Sequence, residues 1–213
     1  GKAADAARAQ KFLTECVTAC ENVMNAGYEL GDDYQATYNS VSLSSNPEVI
    51  FFKEYKDNLF YHSLISYTCS STQISGMTKD AFDAYLFKDG KPLALTSENK
   101  SDVGEEDADG NYSIAKLLEA RDARLAKTSD PFVYYEGMGW TRAGAMDMTS
   151  STGYGVCKYD NVALPRDNRA NTVKNYTSAP LFWLAVVYCN FAEAKAELGS
   201  ITDADLDKSI NKL

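Results

Sequence analysis

Apolar residues recur at helical spacing over residues 3–26. Phe12, Leu13, Cys16, Val17, Cys20, Val23 and Met24 share one face, and Lys11, Glu15 and Glu21 lie opposite. This predicts an amphipathic helix that Gly27 is placed to stop. After Asn46-Pro47, residues 48–52 are β-branched and aromatic and predict a short strand; residues 132–136 predict another. Thr78 is placed to cap a short helix over 81–86, closed by the turn Asp89-Gly90-Lys91-Pro92. Ile114, Leu117, Leu118 and Leu125 form the apolar stripe of a helix over 113–127. Ser178-Ala179-Pro180 reads as the opening of a strong helix running to Leu198, with proline in its first turn and Gly199 as its stop. Thr202 and Asp205 have the spacing of a capping box at the start of a last helix.

Between these elements the periodicity fades. Residues 54–77, 96–111 and 137–177 read as long loops, and one as long as 137–177 inside a compact domain is usually functional or partly structured. The chain reads as a single region, 1–213, cut at both ends. Its longest apolar run, 181–189, is too short to span a bilayer core of about 30 Å. Two helices joined by a short glycine turn, with Ala192, Ala194 and Ala196 on the first, have the character of a helical-repeat hairpin. The tetratricopeptide signature is degenerate, with only Trp183 and Tyr188 suggesting it.

Composition narrows the chemistry. Thirty acidic residues against 21 basic ones leave a formal charge of −9, which disfavours a nucleic-acid partner. The single histidine, His62, leaves little material for zinc sites or histidine-based triads. The five cysteines, Cys16, Cys20, Cys69, Cys157 and Cys189, contain no C-x-x-C and read as buried thiols. The acidic run over 102–110 lacks the ligand spacing of a calcium loop and reads as a solvated loop. Neither a metal site nor a cofactor is expected. No carboxylate pair stands out as a glycosidase pair, and no catalytic residue is assigned. Glycosylation sequons at Asn99, Asn111 and Asn175 occur too readily by chance to carry weight. The 14 tyrosines are more informative, because several fall in the loops. Their broad apolar faces with a hydroxyl handle suit sugar rings, and they suit protein interfaces equally well.

At the C-terminal helices a pattern emerges. Pro180-Leu181-Phe182-Trp183-Leu184-Ala185-Val186-Val187-Tyr188 leads into Asn190-Phe191-Ala192-Glu193-Ala194-Lys195-Ala196-Glu197-Leu198-Gly199, and then into Leu206-Asp207-Lys208-Ser209-Ile210-Asn211-Lys212-Leu213. This resembles the SusD/RagB family of outer-membrane nutrient-binding lipoproteins. Further segments agree in order: Gly27-Tyr28-Glu29-Leu30, Glu48-Val49-Ile50-Phe51, Asp83-Ala84-Tyr85 with Asp89-Gly90-Lys91-Pro92, Arg121-Asp122-Ala123-Arg124-Leu125, and Lys158-Tyr159. Ala123 stands where the family usually has proline, and Phe182-Trp183-Leu184-Ala185 loses an arginine and an acid from the family pattern.

The resemblance implies a mainly α fold, a tetratricopeptide-like helical repeat scaffold with long loops and a few short strands. It implies a non-enzymatic surface protein that captures oligosaccharide, or a peptide in its place, and passes it to a SusC-like TonB-dependent transporter. Membrane attachment would be only through a lipid anchor outside this chain. The family's ligand-contacting aromatics lie on variable loops, so no motif transfers them. From the local sequence alone, the candidates are Tyr55, Tyr61, His62, Tyr67, Trp140 and Tyr154, with Arg142 and Asn168 as polar partners. Two other readings remain: a scaffold that docks the transporter without its own sugar site, and a glycoside hydrolase.

Overall fold

Asp5 opens the first helix, α1 (Ala6–Met24), its carboxylate accepting a hydrogen bond from the Arg8 amide at 2.9 Å. The computed structural model describes residues 5–68, 76–98, 111–134, 150, 152, 154–170 and 173–213. These divide into two compact units, one comprising Gly1–Asp32, Leu43–Lys53 and Ala179–Leu213, the other Asp33–Ser42 and Glu54–Ser178.

In the first unit α1 packs on α8 (Leu184–Glu197). Leu184 and Phe191 of α8 are fully buried, and Tyr188, Ala192 and Ala194 nearly so. Burying a side chain such as Phe191 contributes about 1.5–3 kcal/mol. The Cys16 thiol reaches both the Asn190 carbonyl and the Cys20 thiol at 4.0 Å. Gly27 takes φ +88° past the end of α1, and Gly199 takes φ +66° past α8, as a stop residue requires. Thr202 and Asp205 complete their reciprocal capping box at the start of α9 (Asp203–Asp207). The Asp205 carboxylate also holds the ammonium groups of Lys195 and Lys208, each at 3.2 Å, and Lys208 reaches Glu21 of α1 at 3.3 Å. A short 3-10 turn, Ile210–Lys212, follows.

The helix expected from Ser178 begins later. Residues Ala179–Trp183 are instead strand β5, antiparallel to β1 (Val49–Lys53), with Phe51 opposite Phe182 and Pro180 opposite Phe52. In a two-stranded sheet each strand keeps an open edge, so a proline lacking an N–H is tolerated. The chain turns into the helix only at Leu184, whose amide donates to the Glu48 carbonyl at 2.9 Å.

The second unit has a core of Met77, Phe82, Ile114, Leu118 and Leu125, flanked by Tyr85, Leu117, Tyr154 and Val156. Over it lie α4 (Lys79–Asp83), capped by Thr78 as expected, and the antiparallel strands β2 (Asn111–Ser113), β3 (Ser129–Tyr134) and β4 (Tyr154–Val156), in the order β2-β3-β4. The single helix expected over 113–127 is two, α5 (Ala115–Glu119) and α6 (Ala123–Ala126). The break has a cause in the partners of Arg121 and Asp122. Arg121 forms a bridge with Phe87, its side chain is 3% exposed, and its guanidinium donates to the Tyr85 carbonyl at 2.9 Å and to the Asp83 carboxylate at 3.2 Å. Asp122 then caps α6 by accepting from the Arg124 amide.

The segments read as loops carry short elements. Helix α3 (Leu64–Thr68) lies within 54–77, while β4 and α7 (Arg166–Ala170) lie within 137–177. Short α2 (Ala36–Asn39) follows the turn after residue 33. Among the cysteines Cys20 is buried and Cys16 and Cys157 are half-buried. Cys189 corrects the expectation of a buried thiol, since it is exposed on α8, and Cys69 lies outside the described residues. No described helix is long and apolar enough to cross a membrane.

Candidate functional site

Several of the sequence candidates gather around residues 55–62. A tight turn joins Lys56 and Phe60 by paired backbone hydrogen bonds of 3.0 and 2.9 Å, with Asn58 at φ 62°. The Tyr61 hydroxyl closes it, donating to the Asp57 carboxylate at 2.6 Å and accepting from the Asn58 amide at 2.7 Å. That bond to Asp57 holds the phenolic proton and raises the Tyr61 pKa.

The tautomer of His62 follows from its partners. Its Nδ1 accepts from the Leu64 amide at 3.1 Å, so Nε2 carries the proton and donates to the Thr177 carbonyl at 3.0 Å. Burial lowers its pKa, which keeps this ring neutral. The Tyr55 ring meets the imidazole edge-on, at 4.7 Å between centroids.

Asn175 pairs with His62 in an isolated antiparallel bridge. It is fully buried, accepts from the Ser66 amide at 3.2 Å, and donates to the Asn168 and Arg169 carbonyls at 2.7 and 3.2 Å. Its sequon is therefore closed to a glycan in the folded chain. The Asn168 side chain donates to the Lys174 carbonyl at 3.1 Å, and Tyr67 stands exposed on α3, which packs against α7. Tyr55, Tyr61, His62, Tyr67 and Asn168 thus belong to one neighbourhood. Tyr154 does not share it, since its ring lies 4.8 Å from Phe82 in the core of this unit. Trp140 and Arg142 lie outside the described residues, as do the whole acidic run over 102–110 and the sequon at Asn99.

A second cluster escaped the sequence reading. Tyr34, just before α2, and Tyr38, on it, are four residues apart, and their rings meet at 5.2 Å. Tyr159 meets Tyr38 edge-on at 6.5 Å. The Lys158 ammonium lies over both faces, 3.5 Å from the Tyr38 centroid and 5.0 Å from that of Tyr34. Hydrogen bonds from Gln35 to the Cys157 carbonyl (2.9 Å), from Asn39 to the Asp160 carbonyl (3.0 Å) and from Asn161 to the Asn39 carbonyl (2.9 Å) fix the two chain segments together. Asp160, 5% exposed, is in turn clamped by the Arg169 guanidinium. Tyr85 borders the cluster, its hydroxyl 3.4 Å from that of Thr128. Arg124 is occupied by a two-pronged bond to Asp122 at 2.9 and 2.6 Å.

Burial lowers the Lys158 pKa and raises that of Tyr159. It also pushes the Cys157 thiol up to about 12, which leaves it inert. The available sequence signal was the i, i+4 tyrosine pair and the adjacent Lys158-Tyr159. Their convergence is a tertiary fact. Chemically the cluster offers half-buried aromatic faces, hydroxyl handles and one cation. No group of three or more potential metal ligands occurs among the described residues.

No protein-family model matches the sequence, and no curated protein matches it. Solved structures do. A SusD-like carbohydrate binding protein from Bacteroides fragilis NCTC 9343 superposes over 95% of the chain with a TM-score of 0.64 at 22% identity. The fold is SusD-like. A second SusD-like protein from the same organism matches over 96% of the chain with a TM-score of 0.59, also at 22% identity. The chain spans 40% and 43% of the lengths of these two structures, so it corresponds to less than half of each SusD-like protein. The helix-rich architecture with few short strands is the part of the expectation that this SusD-like match establishes.

Proposed function

We propose that this chain is the ligand-holding region of a cell-surface glycan-binding protein, one that captures an oligosaccharide and passes it to a SusC-like TonB-dependent transporter without chemical change. The observation that carries the reading is the half-buried Tyr34–Tyr38–Tyr159 cluster on a SusD-like fold. Sugar rings have apolar C–H faces and hydroxyl edges, and tyrosines meet both, the ring by stacking and the phenol by hydrogen bonding. In this reading the α1–α8 pair belongs to a tetratricopeptide-like scaffold, and a lipid anchor outside this chain holds the protein at the outer membrane. Tyr55 and Tyr67 extend the ligand surface, with Trp140 and Arg142 as further contacts. Tyr61, His62 and Asn168 brace that surface through the bonds they make around residues 55–62, and Tyr154 supports it from the core, where it packs on Phe82.

The test is calorimetric titration of the full-length protein with a panel of plant, host and microbial oligosaccharides. Tyr38→Ala and Trp140→Ala are run alongside. Saturable binding to at least one saccharide, weakened about tenfold by Tyr38→Ala, is the expected result, because stacking on one aromatic face is worth about 1–1.5 kcal/mol. Absence of binding across the panel overturns the proposal.

A further inference from the structure

Among the described residues of the second unit, the more buried cations are held in pairs, while Lys56, Lys88, Lys127 and Arg166 are exposed. Arg121 lies on Asp83, Arg124 on Asp122, Arg169 on Asp160, Lys91 on Asp89 and Lys174 on Asp167. Lys158 differs. It is half-buried, and among the described residues no carboxylate lies within ion-pairing distance of its ammonium. Its neighbours are the faces of Tyr34 and Tyr38, which attract a cation but leave its N–H donors without an anion. An exposed lysine without a carboxylate is ordinary. One drawn partly out of water, between aromatic rings and beside phenolic hydroxyls, is a cation kept available.

We propose that the Tyr34–Tyr38–Tyr159 cluster takes an acidic saccharide, whose ring lies against a tyrosine face and whose carboxylate or sulfate group is received by Lys158. This rests on the glycan-binding reading above and names the substrate class of that site. Arg124 does not compete for the anion, because Asp122 already occupies its fork. The whole-chain charge of −9 sharpens the inference, since long-range electrostatics repel an acidic ligand. Any preference for the charged sugar must then come from a local cation. Burial also lowers the Lys158 pKa, so the preference weakens at alkaline pH sooner than for a solvated lysine.

The experiment uses two matched pairs of probes on the full-length protein, titrated calorimetrically. One pair is trigalacturonic acid and its methyl-esterified, neutral form; the other is a chondroitin tetrasaccharide with and without its sulfate groups. Which pair responds separates carboxylate from sulfate recognition. The expected result is tighter binding of the more highly charged member of one pair by about tenfold, as one charge-assisted hydrogen bond supplies. Lys158→Gln abolishes that preference, weakening the more highly charged member about tenfold more than its partner, and Lys158→Arg retains it. Should either Lys158 variant fold poorly, the wild-type comparison within each pair still decides. Equal affinity within both pairs, or a preference that survives Lys158→Gln, overturns this inference while the glycan-binding reading stands. Absence of binding by these probes and by the wider saccharide panel overturns both.

Discussion

Replacing Arg121 by leucine should destabilise the second unit more than changing any of its exposed charges. The guanidinium is 3% exposed and donates to the carbonyls of Phe82, Asp83 and Tyr85 at 3.4, 3.3 and 2.9 Å and to the Asp83 carboxylate at 3.2 Å. It also lies 4.1 Å from the Phe87 ring centroid and 5.2 Å from that of Phe82. Two of the carbonyl contacts are long, so the weight falls on Tyr85, Asp83 and the rings. Breaking a buried pair costs about 3–5 kcal/mol. Three features reduce that figure. Asp83 keeps Lys79, its side chain is 25% exposed, and the Arg121 Nε is already buried without an acceptor among the described residues. The net loss should be about 2–4 kcal/mol.

Urea unfolding followed by near-ultraviolet circular dichroism measures it, with Lys79→Ala as a control expected to change stability by less than about 0.5 kcal/mol. The arginine holds the Tyr85 carbonyl, and Tyr85 borders the Lys158 cluster, so saccharide affinity should fall as well. An Arg121→Leu protein within about 0.5 kcal/mol of wild type would refute the reasoning, because a guanidinium so placed cannot be both central and dispensable.

Two further expectations concern pH. The Thr202 hydroxyl above all, with Lys195 and Lys208, holds the Asp205 carboxyl down to about 2, so its unfolded form binds protons first on acidification. The stability it contributes is present above about pH 4 and lost between about pH 4 and pH 2. Asp205→Asn should flatten that part of the acid-unfolding curve, and an unchanged curve would contradict the assignment. His62 has the same sign for a different reason: burial lowers its folded pKa below 6.5, so the unfolded state takes up the proton more readily. Stability of the second unit should therefore decline as pH falls below about 7, and His62→Gln should remove the dependence. Imidazole resonances that titrate at or above the free-histidine value would be inconsistent with it.

What the sequence made legible was local. The cap at Thr78, the Thr202–Asp205 box, the stop glycines and the strand at Val49–Lys53 depend on residues within a turn of one another, and each stands where short-range chemistry put it. The misplaced elements depend on distant partners. Pro180 suits a helix start and an edge strand equally well, and only β1 opposite it decides for the strand. The helix over 113–127 breaks because Arg121 is needed by Phe82–Tyr85, which no periodicity discloses. The candidate site divides the same way. Tyr55, Tyr61 and His62 stand together because the chain turns tightly at Lys56–Phe60, whereas Lys158 reaches Tyr38 only through the folded unit. Asn175 illustrates the limit of motif reading: a glycosylation sequon by composition is a buried bracket by structure.

The most direct test of the central claim is where a bound oligosaccharide sits. The full-length protein would be labelled at its tyrosine rings and titrated, in nuclear magnetic resonance experiments, with whichever saccharide binds in calorimetry. The rings of Tyr34, Tyr38 and Tyr159 should shift in proportion to occupancy, while Tyr188, buried in the first unit, stays in place. Saturable binding that leaves those three rings unmoved would contradict that claim.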